Sequence, residues 1–149
     1  MEVKRLVDNY ESFPRLPTRA TDGAAGYDLY TPNEVQLVGG AVTPVRLGIA
    51  VAIPPGYVGL IKDRSSLGKK GIHVFGGVID SDYRGEVVVL LYNSPVLPGS
   101  PEYPDVYTLN RGDRIAQLVV VPCYQGMVVE CNDLPPTQRG AGGFGSTGV

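Results

Sequence analysis

At 149 residues the chain has the size of one domain, and an apolar content of 43% is enough to build a core. A net charge of −2 and a pI near 5.3 give no overall field that would recruit nucleic acid or an anionic membrane, so any phosphate binding must come from a local cluster. No run approaches the roughly 18 apolar residues that a membrane helix requires.

The opening "MEVKRLVDNYESF" lacks the pattern of a secretory leader, which with the lack of an apolar span predicts a soluble intracellular protein, cytoplasmic or nuclear. "AGYDLY" (25–30) sets Asp28 between aromatics at a strand start, where an isolated carboxylate is an ordinary cap. Apolar runs of strand length follow, each fenced by turn residues: "AVTPVRLGIAVAIP" (41–54) and "YVGLIKD" (57–63). "RSSLGKKG" (64–71) predicts one short helix, with Ser65 as its N-cap and Gly71 as its stop. Arg64, Ser65 and Ser66 would there bring a guanidinium, two hydroxyls and unpaired N–H groups to one spot, a combination that binds phosphate or simply caps a surface turn.

"GGVIDSDYRGE" (76–86) places an acidic, aromatic turn between apolar runs, as a β-hairpin would. Asp80 falls at the strand end, where a carboxylate can be held firmly enough to orient a water, and Tyr83 offers a flat face to a sugar. An ordinary hairpin with Asp in its turn has the same sequence. "VVVLLY" (87–92) is apolar at every position and predicts a strand buried on both faces. The proline-rich 93–113 reads as a long irregular excursion. "NRGDRIAQLVV" (110–120) puts Gln117 inside an apolar strand, where its amide needs a partner across the sheet or on a ligand, and reads Asp113 and Arg114 as a turn-stabilising pair.

Cys123 and Cys131 have neither metal-ligand spacing nor more than one histidine, His73, to help them, and read as reduced thiols. The chain then leaves its core through a double proline into "RGAGGFGSTGV" (139–149). Its glycines allow close backbone approach to an anion, Arg139 offers a charge, and Phe144 a ring that could stack on a base. Read alone, the stretch is a slack terminus. Glycine and proline make up about a fifth of the residues and no long helical period occurs. The architecture expected is all-β, a sandwich or barrel with one short helix and a glycine-rich C-terminal arm, with 1–131 as the single domain and 132–149 as the arm.

In order, "AAGYDLY", "RSSLGKKG", "GGVIDSDYRGE", "RGDRIAQL" and "RGAGGFGSTG" resemble the five motifs of the trimeric deoxyuridine triphosphatases, over about residues 24 to 148. The resemblance implies a homotrimer of jelly-roll-like subunits whose active sites are each assembled from three chains. It implies Mg²⁺-assisted hydrolysis of dUTP to dUMP and pyrophosphate, which lowers dUTP and supplies dUMP for thymidylate synthesis, with no nucleic-acid or membrane partner. By that resemblance Asp80 holds the attacking water, and Arg64, Ser65 and Ser66 cradle the phosphates. Asp28 and Gln117 would act through water on a Mg²⁺ held mainly by the triphosphate. Uracil would meet main-chain groups at Gly77, Val78, Ile79 and Val88, above Tyr83 packed on the deoxyribose. Arg139, Gly145, Ser146 and Thr147 would close over the phosphates as a lid, with Phe144 across the base.

The chain departs from the family pattern in three places. Ser66 stands where many members have Gly, Val74 where some have a base-reading Asn, and the excursion 94–110 is longer than in compact members. Two rivals keep the fold: a dCTP deaminase, which resembles this chain in its "RSSL" wording, and a non-catalytic nucleotide-binding protein. The deaminase's reactive glutamate would fall at Leu90, and Tyr83 stands where those enzymes tend to have Trp. A non-catalytic relative would be expected to lack Asp80 or the Arg-Phe arm, and both are present.

Overall fold

A computed structural model describes residues 1–6, 14–95 and 105–143. Among them are eleven strands and one helix, and every strand pairing is antiparallel. The all-β class expected from the turn-rich composition is therefore the one found.

The two larger sheets define the body. The first runs β2 (Tyr27–Tyr30), β11 (Arg114–Pro122), β6 (Tyr57–Lys62) and β8 (Val78–Ile79) in that order. The second runs β4 (Val42–Arg46), β9 (Val88–Asn93) and β7 (Ile72–Phe75). Two further pairs, β1 (Glu2–Arg5) with β5 (Ile49–Ala52) and β3 (Val35–Val38) with β10 (Val106–Leu109), complete the sheets. Leu29, Ile61 and Leu118 from the first sheet and Ile72, Val89 and Leu91 from the second meet in one apolar core, all nearly inaccessible to solvent. Burial of that apolar surface is the main force holding the two sheets together.

Several local expectations need correction. "AVTPVRLGIAVAIP" is two strands, β4 and β5, because Gly48 turns the chain between them at φ +67°. "VVVLLY" alternates instead of burying both faces: Val87, Val89 and Leu91 are buried, while Leu90 is 36% exposed. The excursion is partly regular, since Val106–Leu109 forms β10 against β3, and residues 96–104 lie outside the described residues. The turn 80–87 is no hairpin either. Its flanks, β8 and β9, sit in different sheets and do not pair, so the segment arches from one sheet to the other.

Beyond β11 the chain leaves the body. Every residue from Cys123 to Gly140 is exposed, among them Tyr124, Met127, Val128, Val129 and Leu134. Cys123 and Cys131 are both free and exposed. None of the described helices is long and apolar enough to cross a membrane.

Candidate active site

The strand register assembles the first part of the site. Gln117, midway along β11, lies opposite Asp28 on β2 and opposite Lys62 on β6, so three separated motifs meet in one row across the sheet. Side chains directly opposite one another on antiparallel strands share a face, which sets the carboxylate and the amide side by side. Gly26 makes room for this: a Cβ there would lie 2.9 Å from Gln117 Oε1, closer than any side chain tolerates. The Gln117 amide finds a partner in its part-buried setting, donating from Nε2 to the Asp63 carbonyl at 2.9 Å.

Lys62 ends β6, and α1 (Ser65–Gly68) begins after two intervening residues, Asp63 and Arg64. Arg64 takes the N-cap position in an extended conformation, with no side-chain cap, so Ser65 is the first helical residue and not the cap. Gly71 ends the turn as expected, at φ +74°. The displaced cap matters chemically, because neither serine hydroxyl is spent on capping the helix. The Leu67 and Gly68 N–H groups donate to the Arg64 carbonyl at 3.0 and 2.8 Å, which leaves those of Ser65 and Ser66 to form, with the two hydroxyls, a donor-rich surface.

Two arginines converge on Asp28. Arg64 Nε lies 3.1 Å from Oδ1 and Arg114 Nη1 3.3 Å from Oδ2, while Arg64 Nη1 also donates to the Arg114 carbonyl at 3.2 Å. A register shift between Arg114 and Ala116 marks a bulge, a device that re-aims side chains. Arg114 thus serves Asp28 and not Asp113, whose carboxylate instead accepts the Asn110 N–H at 2.8 Å and closes the turn. An open cleft of about 190 Å³ is lined by Gly26, Asp28, Arg64, Ser65, Arg114 and Gln117. Ser66 faces an adjoining cleft of about 220 Å³ with Arg64, Arg114 and Tyr107.

The arch carries the second part. Gly77 has φ +80° and its carbonyl accepts the Ile61 N–H at 2.7 Å, a close approach that a Cβ would block. β8 is the last strand of its sheet, so the outer backbone edge of Val78 and Ile79 has no strand partner among the described residues. Asp80 follows, exposed, in a cleft of about 370 Å³ that it shares with Tyr57, Ser81, Asp82, Cys123 and Gln125. Its side chain makes no hydrogen bond or ion pair with any described residue, and its carbonyl accepts the Tyr83 N–H at 3.2 Å. Tyr83 donates its hydroxyl to the Glu86 carbonyl at 3.0 Å, with its ring lying over Gly85. Glu86 anchors the foot of the arch by accepting the Gly48 N–H at 2.9 Å and pairing with Arg46 at 2.5 Å.

Arg139 is exposed and folds onto its own turn, donating from Nε to the Gly142 carbonyl at 2.8 Å. Phe144, Gly145, Ser146 and Thr147 lie outside the described residues. The structure thus brings Asp28, Arg64, Ser65 and Gln117 into one cleft, places Ser66 in the adjoining one, and leaves Asp80 in another with no lining residue in common.

A family model for dUTPase matches residues 14–148. The chain belongs to the dUTPase family. It is 44% identical to the deoxyuridine 5'-triphosphate nucleotidohydrolase of Zymomonas mobilis, over 100% of this chain and 97% of the relative. It is 40% identical to the enzyme of the same name from Paramecium bursaria Chlorella virus 1, over 99% and 96%. Among solved structures it resembles the Staphylococcus bacteriophage 80alpha dUTPase with dUPNHPP, at TM-score 0.85 and 29% identity, covering 99% of this chain and 98% of that one. A mutant dUTPase from phage phi11 of S. aureus, whose structure describes coordination of a structural Mg(II) ion, aligns at TM-score 0.75 and 27% identity over 89% and 96%.

Family membership gives the local geometry a purpose, and several contributors to it were missed in the sequence. Arg114 reads in the sequence as half of a turn pair with Asp113, and Gly26, Gly85 and Glu86 are not singled out there. Only Gly26 and Gly85 carried a usable signal, each standing one or two residues from an aromatic inside a motif.

Proposed function

We propose that this protein hydrolyses dUTP to dUMP and pyrophosphate. The observation that carries the reading is the convergence of Arg64, Ser65, Asp28 and Gln117 on one cleft at the N-terminus of α1, within a chain of the dUTPase family. Guanidinium, hydroxyl and free N–H groups together suit a polyphosphate, and the relatives' shared name supplies the nucleoside.

The chemistry is substitution at the α-phosphorus. Water adds there, the bond to the β-phosphate oxygen breaks, and pyrophosphate leaves. Asp80 holds that water, and its carboxylate is unspent on any described partner. An exposed carboxylate is a weak base, so positioning contributes more than proton abstraction. Arg64 and Ser65, with Ser66 from the adjoining cleft, bind the phosphate chain and offset the charge it carries throughout the reaction. The open edge of β8 at Val78 and Ile79, with Gly77 and Val88, offers main-chain donors and acceptors to uracil. Tyr83 packs on the deoxyribose, where a 2′-hydroxyl would collide. Arg139, Phe144, Gly145, Ser146 and Thr147 close over the nucleotide.

Mg²⁺ fits this donor set in one particular way. The described residues contain no cluster of three or more potential metal ligands, and both oxygens of Asp28 already accept from arginines. That suits an ion carried by the phosphates with most of its waters retained, Asp28 and Gln117 accepting from those waters. When bound, it would screen phosphate charge.

Because Asp80 and Arg64 line separate clefts, one chain does not bring them together. A homotrimer, with the phosphate cleft of one subunit facing the arch of a neighbour and the arm of the third, supplies the missing juxtaposition. Light scattering should give about three times 15.9 kDa. The test of function is pyrophosphate release with Mg²⁺ from dUTP, dCTP, dTTP and UTP in parallel. Turnover of dUTP alone supports the reading, and equal turnover of all four overturns it.

A further inference from the structure

Asp63 occupies the single position between the end of β6 and the N-cap Arg64. Its carboxylate accepts the Val74 N–H through Oδ1 at 2.7 Å, and its Oδ2 lies 3.0 Å from His73 Nδ1. A carboxylate only accepts, so Nδ1 carries the hydrogen of that bond. The carbonyl of the same residue accepts from Gln117 Nε2 at 2.9 Å. One residue is therefore tied by its side chain to β7, the edge strand of the three-stranded sheet, and by its backbone to β11, inside the four-stranded sheet.

Neither Asp63 nor His73 lines the phosphate cleft. What they hold is the stretch of backbone from which Arg64 and the first turn of α1 project. That turn is only four residues long and has no side-chain cap, so little within the helix fixes its direction. Arg64 must also meet Asp28 at 3.1 Å from across the intervening strand β11, which requires its Cα to stay in place.

We propose that Asp63, with His73 as its second partner, is a positioning residue for the phosphate grip: it locks the β6–α1 junction between the two sheets so that Arg64, Ser65 and Ser66 present a preformed surface to the triphosphate. The proposal rests on the dUTP reading above. A preformed grip acts on the phosphates in ground and transition states alike, so losing it raises KM and leaves kcat nearly unchanged.

Calorimetry with two ligands, the imido analogue of dUTP and deoxyuridine, separates this role from general structural support. Asp63→Ala should weaken the analogue about tenfold, the scale of one lost charge-assisted hydrogen bond. Deoxyuridine, which has no phosphate, should bind as before, and KM for dUTP should rise by about the same factor as the analogue weakens while kcat stays within about twofold of wild type. Asp63→Asn should recover most of the loss, because its amide oxygen still accepts from Val74 and its NH₂ can donate to the other tautomer of His73. His73→Ala should show a smaller, phosphate-selective loss, and it keeps the comparison available if Asp63→Ala fails to fold. Unchanged analogue binding in Asp63→Ala and His73→Ala, or equal weakening of both ligands, overturns the proposal. Wild-type protein inert towards dUTP takes down the functional reading and this one together. Active wild type beside an unaltered Asp63→Ala removes the role of Asp63 alone.

Discussion

Arg114 reaches across the sheet to Asp28, Nη1 to Oδ2 at 3.3 Å, and so takes the second oxygen of a carboxylate whose first is held by Arg64. Asp28 is well shielded, its side chain 13% exposed, while Arg114 remains about half open to solvent. The arrangement turns two like charges into a fixed pair, with the acid between them neutralising their repulsion.

Asp28→Asn should therefore cost more than one hydrogen bond. Two guanidiniums would face a neutral amide, and Arg64 would lose its charged anchor. A stability loss of about 1–3 kcal/mol by denaturant titration is expected, with KM for dUTP rising about tenfold. A variant as stable and as tight-binding as wild type would show that the clamp has no role in the grip.

Asp80→Asn should behave differently. The side chain has no described partner, so the fold should keep its melting midpoint while kcat drops by about 10²–10⁴. Binding of the imido analogue should hold. Undiminished turnover would remove Asp80 from the reaction.

The contact between Tyr83 and Gly85 gives a handle on sugar selectivity. A methyl group at 85 would overlap the tyrosine ring, so Gly85→Ala displaces Tyr83 without altering it. The preference for dUTP over UTP should fall about tenfold, and Tyr83→Ala should do the same. Equal preference in wild type and Gly85→Ala would mean that the ring does not read the sugar.

Mixing experiments test the shared site directly. Assayed at dUTP well below the wild-type KM, Arg64→Ala and Asp80→Asn should each be nearly inactive alone. Refolded together one to one, they should regain about a quarter of wild-type activity, because two neighbouring subunits supply the two residues independently. No recovery on mixing would place both residues in a single chain's site.

Removal of residues 139–149 should leave the assembly folded and cripple turnover. The truncated ends contribute no described core residue, and their only described side-chain bond is local. Normal hydrolysis by the truncated protein would reduce the stretch to a slack end.

The sequence revealed site composition better than site geometry. Arg64, Asp28 and Gln117 could be picked out because polar residues among strand-length apolar runs demand an explanation. Their meeting depends on the register of β11 against two strands at once, which no local pattern encodes. The N-cap was misplaced because serine is a good cap in isolation, whereas here Asp63, bound to the Val74 N–H just past the end of β6, leads into an extended Arg64. The arch looked like a hairpin because periodicity cannot tell whether two flanking strands pair with each other or with different sheets. In "VVVLLY" the composition promised burial on both faces, yet Leu90 faces outward, as pleating dictates for a strand covered on one side. Asp63 gave no signal at all, since its three bonds all come from residues ten or more positions away.

The exposed stretch from Tyr124 to Val129 bears on the history of a newly made chain. Tyr124 is 88% and Val128 fully open to solvent, and the segment is rich in β-forming residues with no strand beside it. Such a segment is a template for promiscuous pairing with any unfinished sheet nearby. A solitary subunit is thus at risk of aggregation and of cleavage from the moment it leaves the ribosome. In the proposed trimer, rapid association with its own kind would act as quality control as well as completing a catalyst.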